Sequence, residues 1–313
     1  MHTLEPELRA LHAAGVIDDA TAARALARDL GRVFSLHAEL RAALYAGVLL
    51  VMSGVGIILA RNIERIGPLG IVLALALAAA ACAVPAVRAK RAGRAPTIAA
   101  DYLLLLAALL VSADLGYAER QFTLLGPLWP WHLLLLALVH AALAYAFASP
   151  LVLAASLTAL AGWFGVSGLP GDVLQQSSLE LGARALACAA LIAAWRHADR
   201  RARPDSRFTD VFDHFAINLA SWGAIAWCAE WPSLAAGLPV LAALAYASVR
   251  HGLRTGREVF LVYGTVYAAI GACVTVLPHV QGTTPTLGFV LIVVCVAAAA
   301  LWWLRRRLRE TSP

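Results

Sequence analysis

The fold of this chain is decided by a stretch that reads AALYAGVLLVMSGVGIILA over residues 42–60, RNIERIG over residues 61–67 and PLGIVLALALAAAACAVPAV over residues 68–87. At about 1.5 Å per residue, a helix of either apolar arm is long enough to cross the roughly 30 Å hydrocarbon core of a bilayer. The charged elbow between the arms, residues 61–65, suits a turn at the membrane surface. This stretch therefore predicts a membrane hairpin.

The whole chain has the composition of a polytopic membrane protein. Of its 313 residues, 61% are hydrophobic and 14% are charged, whereas soluble domains carry about 25% charged residues. The net charge of +6 comes from short basic clusters between apolar runs, and not from the basic face or stripe of a nucleic-acid binder. We therefore expect the lipid bilayer as a partner, and no nucleic acid.

Ten apolar runs predict an all-α transmembrane helix bundle of about ten spans. The predicted spans lie near residues 42–60, 68–87, 97–115, 131–148, 150–166, 179–195, 214–229, 233–249, 258–276 and 287–304. Runs four and five meet at Ser149 and Pro150, where a single kinked helix is the alternative. That helix would be about 54 Å long, which is too long for the bilayer core, so we predict a hairpin turn there.

The basic residues predict the orientation of the bundle. With ten spans and the N-terminus inside, 21 of the 25 Lys and Arg residues lie in cytoplasmic segments, where the excess of positive charge belongs. Merging runs four and five would place the arginines of the second half outside. All but one of these 25 residues are arginines, which suggests a GC-rich bacterial genome. We predict a multi-pass protein of the bacterial inner membrane with both termini cytoplasmic, and no signal peptide before Ala42.

Residues 1–41 predict a cytosolic helical hairpin, and residues 305–313 a basic cytosolic tail. Gly15 ends the first helix of the hairpin and Asp18 is the N-cap of the second. The second helix carries an apolar stripe, which we predict to be a partner-binding surface. It includes Leu26, Leu30, Val33 and Leu40. Its partner is either the first helix of the hairpin, or a second protein or a second copy of the chain.

These N-terminal features resemble domain-of-unknown-function family 2157, a family of predicted bacterial polytopic membrane proteins. Two passages carry the resemblance: Leu8, Leu11, Gly15, Val16 and Ile17 with Asp18 opening the second helix, and Gly47, Gly54 and Gly56 followed by Ala60, Arg61 and Asn62. The family typically has Asn-Trp at the elbow, whereas Ile63 follows Asn62 here, so no role of that tryptophan is carried over. The resemblance covers roughly the first 70 residues, and it implies an architecture without naming an activity.

Polar residues inside the spans are the first candidates for a ligand site, because an ionisable side chain costs about 2.5–3.5 kcal/mol near the centre of a bilayer. His140 lies in the middle of its span, and Trp222 and Tyr267 are predicted at a similar depth. So are the hydroxyl-bearing residues Ser53, Thr158 and Thr265. Either these side chains form a polar pocket at the midplane, or hydrogen bonds between helices satisfy them.

A second predicted site lies at the outer side of the membrane. It contains Asp114, Glu180, Arg184 and Glu230. Glu180 and Arg184 are four residues apart, so a local salt bridge is the alternative. At the inner side, Asp210, Asp213 and His214 have a spacing that could bind a divalent metal, but acids in a first helical turn are also favoured by the helix dipole. We predict no metal and no cofactor.

Glycines recur at intervals of seven in two spans, Gly47 with Gly54 and Gly264 with Gly271. Such a pattern allows a neighbouring helix to approach closely. No catalytic or phosphate-binding motif appears, and the five cysteines lack the spacing of a metal or redox site. We therefore do not expect an enzyme. Two functions stay open: small-molecule or lipid binding and transport, or a membrane scaffold or envelope sensor that acts through the cytosolic hairpin.

Overall fold

The computed structural model describes residues 11–12, 15–22, 25, 36–93, 97–166, 178–204, 206–229 and 234–311. Ten long helices lie in these ranges and are numbered in chain order. They are α1 (Leu36–Ile66), α2 (Pro68–Arg91), α3 (Ile98–Phe122), α4 (His132–Phe147), α5 (Pro150–Trp163), α6 (Ser178–Ala202), α7 (Thr209–Cys228), α8 (Leu234–Thr255), α9 (Glu258–Val276) and α10 (Thr283–Thr311). Short 3-10 helices precede α4, at Gly126–Trp131, and follow α9, at Leu277–His279.

The ten helices coincide with the ten apolar runs, so the predicted all-α class is confirmed. Six of them, α1, α2, α3, α6, α9 and α10, are long and apolar enough to cross a membrane. Helices α4 and α5 are apolar but have only 16 and 14 residues, which corresponds to about 24 and 21 Å. Six candidate spans are thus present in the described part of the chain, and the count of ten stays a prediction.

The predicted turn at the charged elbow is wrong. Helix α1 continues through residues 61–66, and the chain breaks only at Gly67, whose φ is 76°. The elbow contains no helix-breaking residue, whereas glycine adopts a positive φ without strain and Pro68 suits the first turn of α2. At the other terminus, α10 runs to Thr311, so the predicted basic tail is largely the end of a helix.

Two predictions for the hairpin of residues 1–41 fall on described residues. Gly15 has a φ of 69°, as expected of a residue that ends a helix. The carboxylate of Asp18 accepts a hydrogen bond from the amide of Thr21 at 2.9 Å, which is the contact of an N-cap. Hydrogen bonds from the side chain and then the amide of Thr21 lower the pKa of Asp18 below its ordinary value. Helix α1 begins at Leu36, so no break separates the hairpin from the first span at residue 41.

The predicted turn between runs four and five is present. Helix α4 ends at Phe147 and is followed by Ala148, which has a φ of 52°. The hydroxyl of Ser149 accepts a hydrogen bond from the amide of Val152 at 3.2 Å. Pro150 is the first residue of α5, a position where its missing N–H is not needed. Helices α4 and α5 pack against each other as a hairpin.

Helix α7 holds the second half of the bundle together, since it packs against α5, α6, α8 and α9. Its Phe212 is fully buried in a core shared with Leu153 and Leu157 of α5 and Ile192 of α6. Further along α7, Ala224 joins a core with residues of α8 and α9. Helix α10 packs on α9, and α1 packs on α2 and α3. Helices α1 and α10 expose long apolar faces, as expected of surfaces in contact with lipid.

The helix ends that carry most of the basic residues lie together. Contacts there join Lys90 to the Phe147 ring, Tyr145 to Asp199, Asp210 to Arg257 and Glu258 to Arg305. These residues lie at the C-terminal ends of even-numbered helices, and at or just before the N-terminal ends of odd-numbered ones. The chain therefore alternates in direction. We call this side of the bundle the basic end, and it is the side that the sequence predicts to be cytoplasmic.

The two glycine patterns differ in their packing. A Cβ atom added at Gly264 would lie 2.8 Å from the carbonyl oxygen of Ala245, and one at Gly271 would lie 2.1 Å from Cδ2 of Leu241. Helices α8 and α9 therefore approach closely, as predicted. A Cβ atom added at Gly47 or Gly54 would meet nothing within 4 Å in the described residues, so no described helix approaches α1 closely at these two positions.

Candidate functional site

Two ion pairs at the basic end begin a row of polar side chains on α7. The carboxylate of Asp210 pairs with Arg257, which precedes α9. One turn further, Asp213 Oδ2 accepts a hydrogen bond from Arg196 Nη2 of α6 at 2.9 Å. The Nε2 atom of His251 on α8 lies 3.7 Å from the same carboxylate. Asp213 therefore joins three helices.

The row continues along α7 toward the middle of the bundle. His214 Nδ1 lies 3.1 Å from the hydroxyl of Tyr263 on α9. The side chain of Asn218 accepts a hydrogen bond from the hydroxyl of Tyr267 and donates one to the backbone carbonyl of His214 at 2.6 Å. The rings of Trp222 and Tyr267 meet edge to face at 5.8 Å. The spacing of four residues places these side chains along the side of α7 that contacts α9.

Asp210, Asp213 and His214, whose spacing could bind a divalent metal, contact different partners in the structure. Asp210 faces Arg257, Asp213 faces Arg196 and His251, and His214 faces Tyr263. Both carboxylates thus have cationic partners. Within the residues that the structure describes, no group of three or more His, Cys, Asp or Glu side chains is arranged to hold a metal ion.

A groove lies beside this row, on the face of α7 between α6 and α8. Its volume is about 470 Å³, within the range of roughly 300–1,000 Å³ that is usual for ligand pockets. Apolar residues form most of its wall, and six of them are alanines: Ala189, Ala190, Ala193, Ala216, Ala220 and Ala247. Arg196, Asp213 and His251 line its end at the basic side. The groove therefore has apolar walls along most of its length and charged side chains at one end.

His251 is held in an environment that favours the neutral imidazole. It lies beyond the predicted span 233–249, near the end of α8. Burial lowers the pKa of His251, the carboxylate of Asp213 partly offsets this shift, and the guanidinium groups of Arg196, Arg257 and Arg200 add to it. At neutral pH the ionic end of the groove therefore carries one acid, its paired arginine and an uncharged imidazole.

His140 occupies a different part of the bundle from Trp222 and Tyr267. It is 2% exposed, and its Nε2 atom lies 3.1 Å from the carbonyl oxygen of Ala108 and 3.3 Å from the hydroxyl of Ser112, both on α3. Its Nδ1 atom is buried and has no hydrogen-bond partner in the described residues. Tyr267 is buried between α7 and α9, whereas Trp222 is half exposed. The structure brings Trp222 and Tyr267 together, and it places His140 against α3.

The hydroxyl groups that were grouped with His140 bond to their own helices. Ser53 donates to the carbonyl of Leu49, Thr158 to that of Ala154 and Thr265 to that of Leu261, at 2.8–2.9 Å. Each carbonyl lies four residues earlier, a bond that satisfies the hydroxyl locally. These three residues therefore need no shared polar pocket at the midplane.

The outer cluster is present only in part. Glu180 and Arg184 form the ion pair that their spacing suggests, and Arg184 also lies against Gly165, just after α5. Asp114 lies on α3, and its Oδ1 atom is buried without a hydrogen-bond partner in the described part of the chain. Glu230 lies outside the described residues. The structure therefore joins two of the four members.

The predicted partner-binding stripe falls mostly outside the described residues, which include neither Leu26, Leu30 nor Val33. Leu40 is described and is about half exposed on α1. The stripe stays a prediction.

Sequence reasoning missed Arg196 and His251 as members of a site, because Arg196 was counted only among the basic residues that set orientation and His251 was given no role. It also missed Asn218 and Tyr263. A usable signal was present in Asp210, Asp213 and His214. Ionisable side chains on one face of a helix in a membrane protein need polar partners from neighbouring helices.

The comparison with known families bears on the first half of the chain. Residues 9–153 match the family model described as predicted membrane protein DUF2157, which confirms the resemblance seen in the hairpin and first elbow. The match extends through α4 into the start of α5 and ends before the helices that form the groove. No curated protein and no solved structure matches the chain.

Proposed function

We propose that this membrane protein binds a small amphiphilic molecule, such as a lipid, in the groove between α6, α7 and α8. The observation that carries the proposal is the joining of an apolar alanine wall to the ionic end made by Arg196, Asp213 and His251. A molecule with an apolar tail and a polar head matches both parts. The proposed function is thus small-molecule or lipid binding. It becomes transport if the bound molecule is released on the opposite side of the membrane.

The wall of the groove supports the choice of an apolar tail. Alanine side chains leave room between helices that larger residues would fill, and the row on α6 continues on the facing side of α7. Apolar atoms make up most of the lining of ligand pockets, with few polar groups that fix orientation. In this groove the polar groups lie at one end only, so they would orient the ligand along the helices.

The ionic end supports a polar head. The side chains of Arg196 and Asp213 are about 22% and 13% exposed, so the pair is largely withdrawn from water yet borders the groove. Charged side chains in such places are costly and commonly mark a binding site or a translocation path. Arg196 offers hydrogen-bond donors to an acidic head group, and Asp213 offers an acceptor to a basic one.

The neighbouring alanines Ala193 and Ala194 allow a matched test. Both side chains are exposed, but Ala193 lines the groove and Ala194 does not. Purified protein is screened for thermal stability against lipids and metabolites, because a ligand at 100 times its dissociation constant stabilises by about 2.7 kcal/mol. We expect a ligand that stabilises the wild type and the Ala194→Phe variant but not the Ala193→Phe variant.

Other results would contradict the proposal. If a stabilising ligand acts equally on Ala193→Phe, the groove is not its site. If its effect is lost in His140→Leu and kept in Ala193→Phe, the site lies at α4, as the sequence suggested. A well-folded wild type that no member of a broad library stabilises would favour the scaffold function.

A further inference from the structure

The C-terminal end of α10 carries two exposed indoles, each beside an arginine. Trp302 and Trp303 are 64% and 52% exposed. The guanidinium group of Arg306 lies 5.9 Å from the centre of the Trp302 ring, and that of Arg307 lies 5.2 Å from the centre of the Trp303 ring. These four residues border a common concavity of about 400 Å³. We call them the Trp-Arg patch.

The opposite side of the same helix end is anchored to the bundle. Leu304 and Leu308 are buried in a small core with Leu261 of α9. Arg305 pairs with Glu258, the first residue of α9, at 3.4 Å. Because these contacts fix the rotation of α10, the Trp-Arg patch is held on the outer surface of the bundle at the basic end.

We propose that the Trp-Arg patch binds the anionic head group of a membrane phospholipid. Tryptophan is the residue that concentrates at the level of lipid head groups, and the guanidinium group binds phosphate oxygens through a planar fork of donors. In the sequence, four arginines stand between residues 305 and 309 with one acid after them. Each basic residue close to an anionic membrane surface strengthens binding about fivefold.

The position of each guanidinium group over an indole ring adds specificity to this charge. An aromatic ring contacts the face of a guanidinium group, while phosphate binds along its edge. In each pair the tryptophan and the arginine are four residues apart, so they are neighbours on the helix surface. The two pairs are offset by one residue and lie side by side. A single head group in the concavity is then within reach of two oriented guanidinium groups.

A matched control lies at the same end of the bundle. Arg250 and Arg254 of α8 are also four residues apart and exposed, and no guanidinium contact with an aromatic ring is present for them in the described residues. Replacing either pair of arginines by glutamine removes the same charge. Any difference between the two double variants therefore reports the geometry of the site and not net charge.

The experiment titrates the full-length protein in detergent with phosphatidylglycerol or phosphatidylcholine and counts bound lipids by native mass spectrometry. We expect the double variant Arg306→Gln and Arg307→Gln to lose about 25-fold in affinity for phosphatidylglycerol, because each of the two charges contributes about fivefold. The double variant Arg250→Gln and Arg254→Gln should stay close to the wild type, and phosphatidylcholine should bind weakly to all three. The double variant Trp302→Leu and Trp303→Leu should also lose affinity although its charge is unchanged.

Three results would overturn the proposal. Equal loss in both arginine variants would reduce the effect to net charge. Unchanged binding of phosphatidylglycerol in the Arg306 and Arg307 variant would place the lipid elsewhere, and equal affinity for phosphatidylcholine would remove the role of the anionic charge. Far-UV circular dichroism and melting temperature establish that each variant is folded. The groove variant Ala193→Phe should keep full affinity at the patch, because the two sites lie on different helices.

Discussion

Arg196 on α6 and Asp213 on α7 make two nitrogen–oxygen contacts with each other, although they lie on separate helices. Their side chains are largely buried, whereas the neighbouring pair Asp210 and Arg257 is about half exposed. The two pairs contain the same chemical groups and start on the same helix, one turn apart. A comparison of the two pairs therefore separates the effect of burial on stability from the effect of charge.

The Asp213→Asn substitution should destabilise the protein by about 2 kcal/mol, because it leaves the largely buried Arg196 cation without its counter-ion. Complete burial would raise that loss to about 3–5 kcal/mol. The matched change Asp210→Asn should cost less than about 1 kcal/mol, as is usual for exposed pairs. Thermal unfolding in detergent measures both. Equal losses would show that burial of the Arg196 pair contributes nothing.

The free energy of unfolding should fall as the pH is lowered, and His251 should account for part of the loss. Because its folded-state pKa is lowered by burial, the unfolded chain takes up a proton at a higher pH than the folded chain does. Its contribution is therefore fully present above about pH 6.5, the ordinary value for histidine, and is lost as the pH falls toward the lower folded-state pKa. Melting temperatures of the wild type and His251→Gln, compared at about pH 7.5 and pH 5.5, measure this contribution. The variant should lose less stability than the wild type, and an identical loss would contradict the assignment.

The two glycine patterns predict opposite effects of the same substitution. Gly264→Ala should destabilise by about 1–3 kcal/mol, because the new methyl group would lie against the backbone of Ala245. The methyl group of Gly54→Ala would meet no described atom within 4 Å, so its better helix propensity should stabilise α1 by up to about 1 kcal/mol. Melting temperatures of the two variants in the same detergent should move in opposite directions. A gain in stability for Gly264→Ala would show that α8 can move away from α9 at no cost.

The scaffold function predicts a partner that depends on the N-terminal hairpin. Because α1 begins at Leu36, deletion of residues 1–35 removes the predicted stripe residues Leu26, Leu30 and Val33 and leaves the first span whole. If the protein is a scaffold, cross-linking and pull-down should recover a partner with the full chain and lose it with the truncated one. Retention of every partner by the folded truncated protein would exclude this function.

The helices were predictable from the sequence because lipid leaves the backbone few choices. An apolar run of about 20 residues in a bilayer must satisfy its own hydrogen bonds, and the helix does so within one segment. The same reasoning fails at helix ends. Residues 61–66 are charged enough to leave the hydrocarbon, but charge does not end a helix, and Gly67 does so by its conformation.

The candidate site was less predictable because its members come from four helices. The sequence places Asp213 in a first helical turn, where the dipole alone explains an acid. Only the packing of α6 and α8 on α7 brings Arg196 and His251 to it. Conversely, Thr158 looked like part of a midplane layer, yet its hydroxyl is satisfied by its own helix. Depth along a span can be read from a sequence, but the direction in which a side chain faces a neighbour is set by packing.

The tight turn at Ala148 and Ser149 bears on how the chain enters the membrane during synthesis. Helices α4 and α5 are each shorter than the bilayer core is thick, and only two uncharged residues separate them. Neither arm is long enough to cross the core by itself as a straight helix, and the turn carries no arginine to hold it on one side. We therefore expect the two arms to leave the translocon as one unit, whose orientation is dictated by the basic segments on either side, around Lys90 and Arg196.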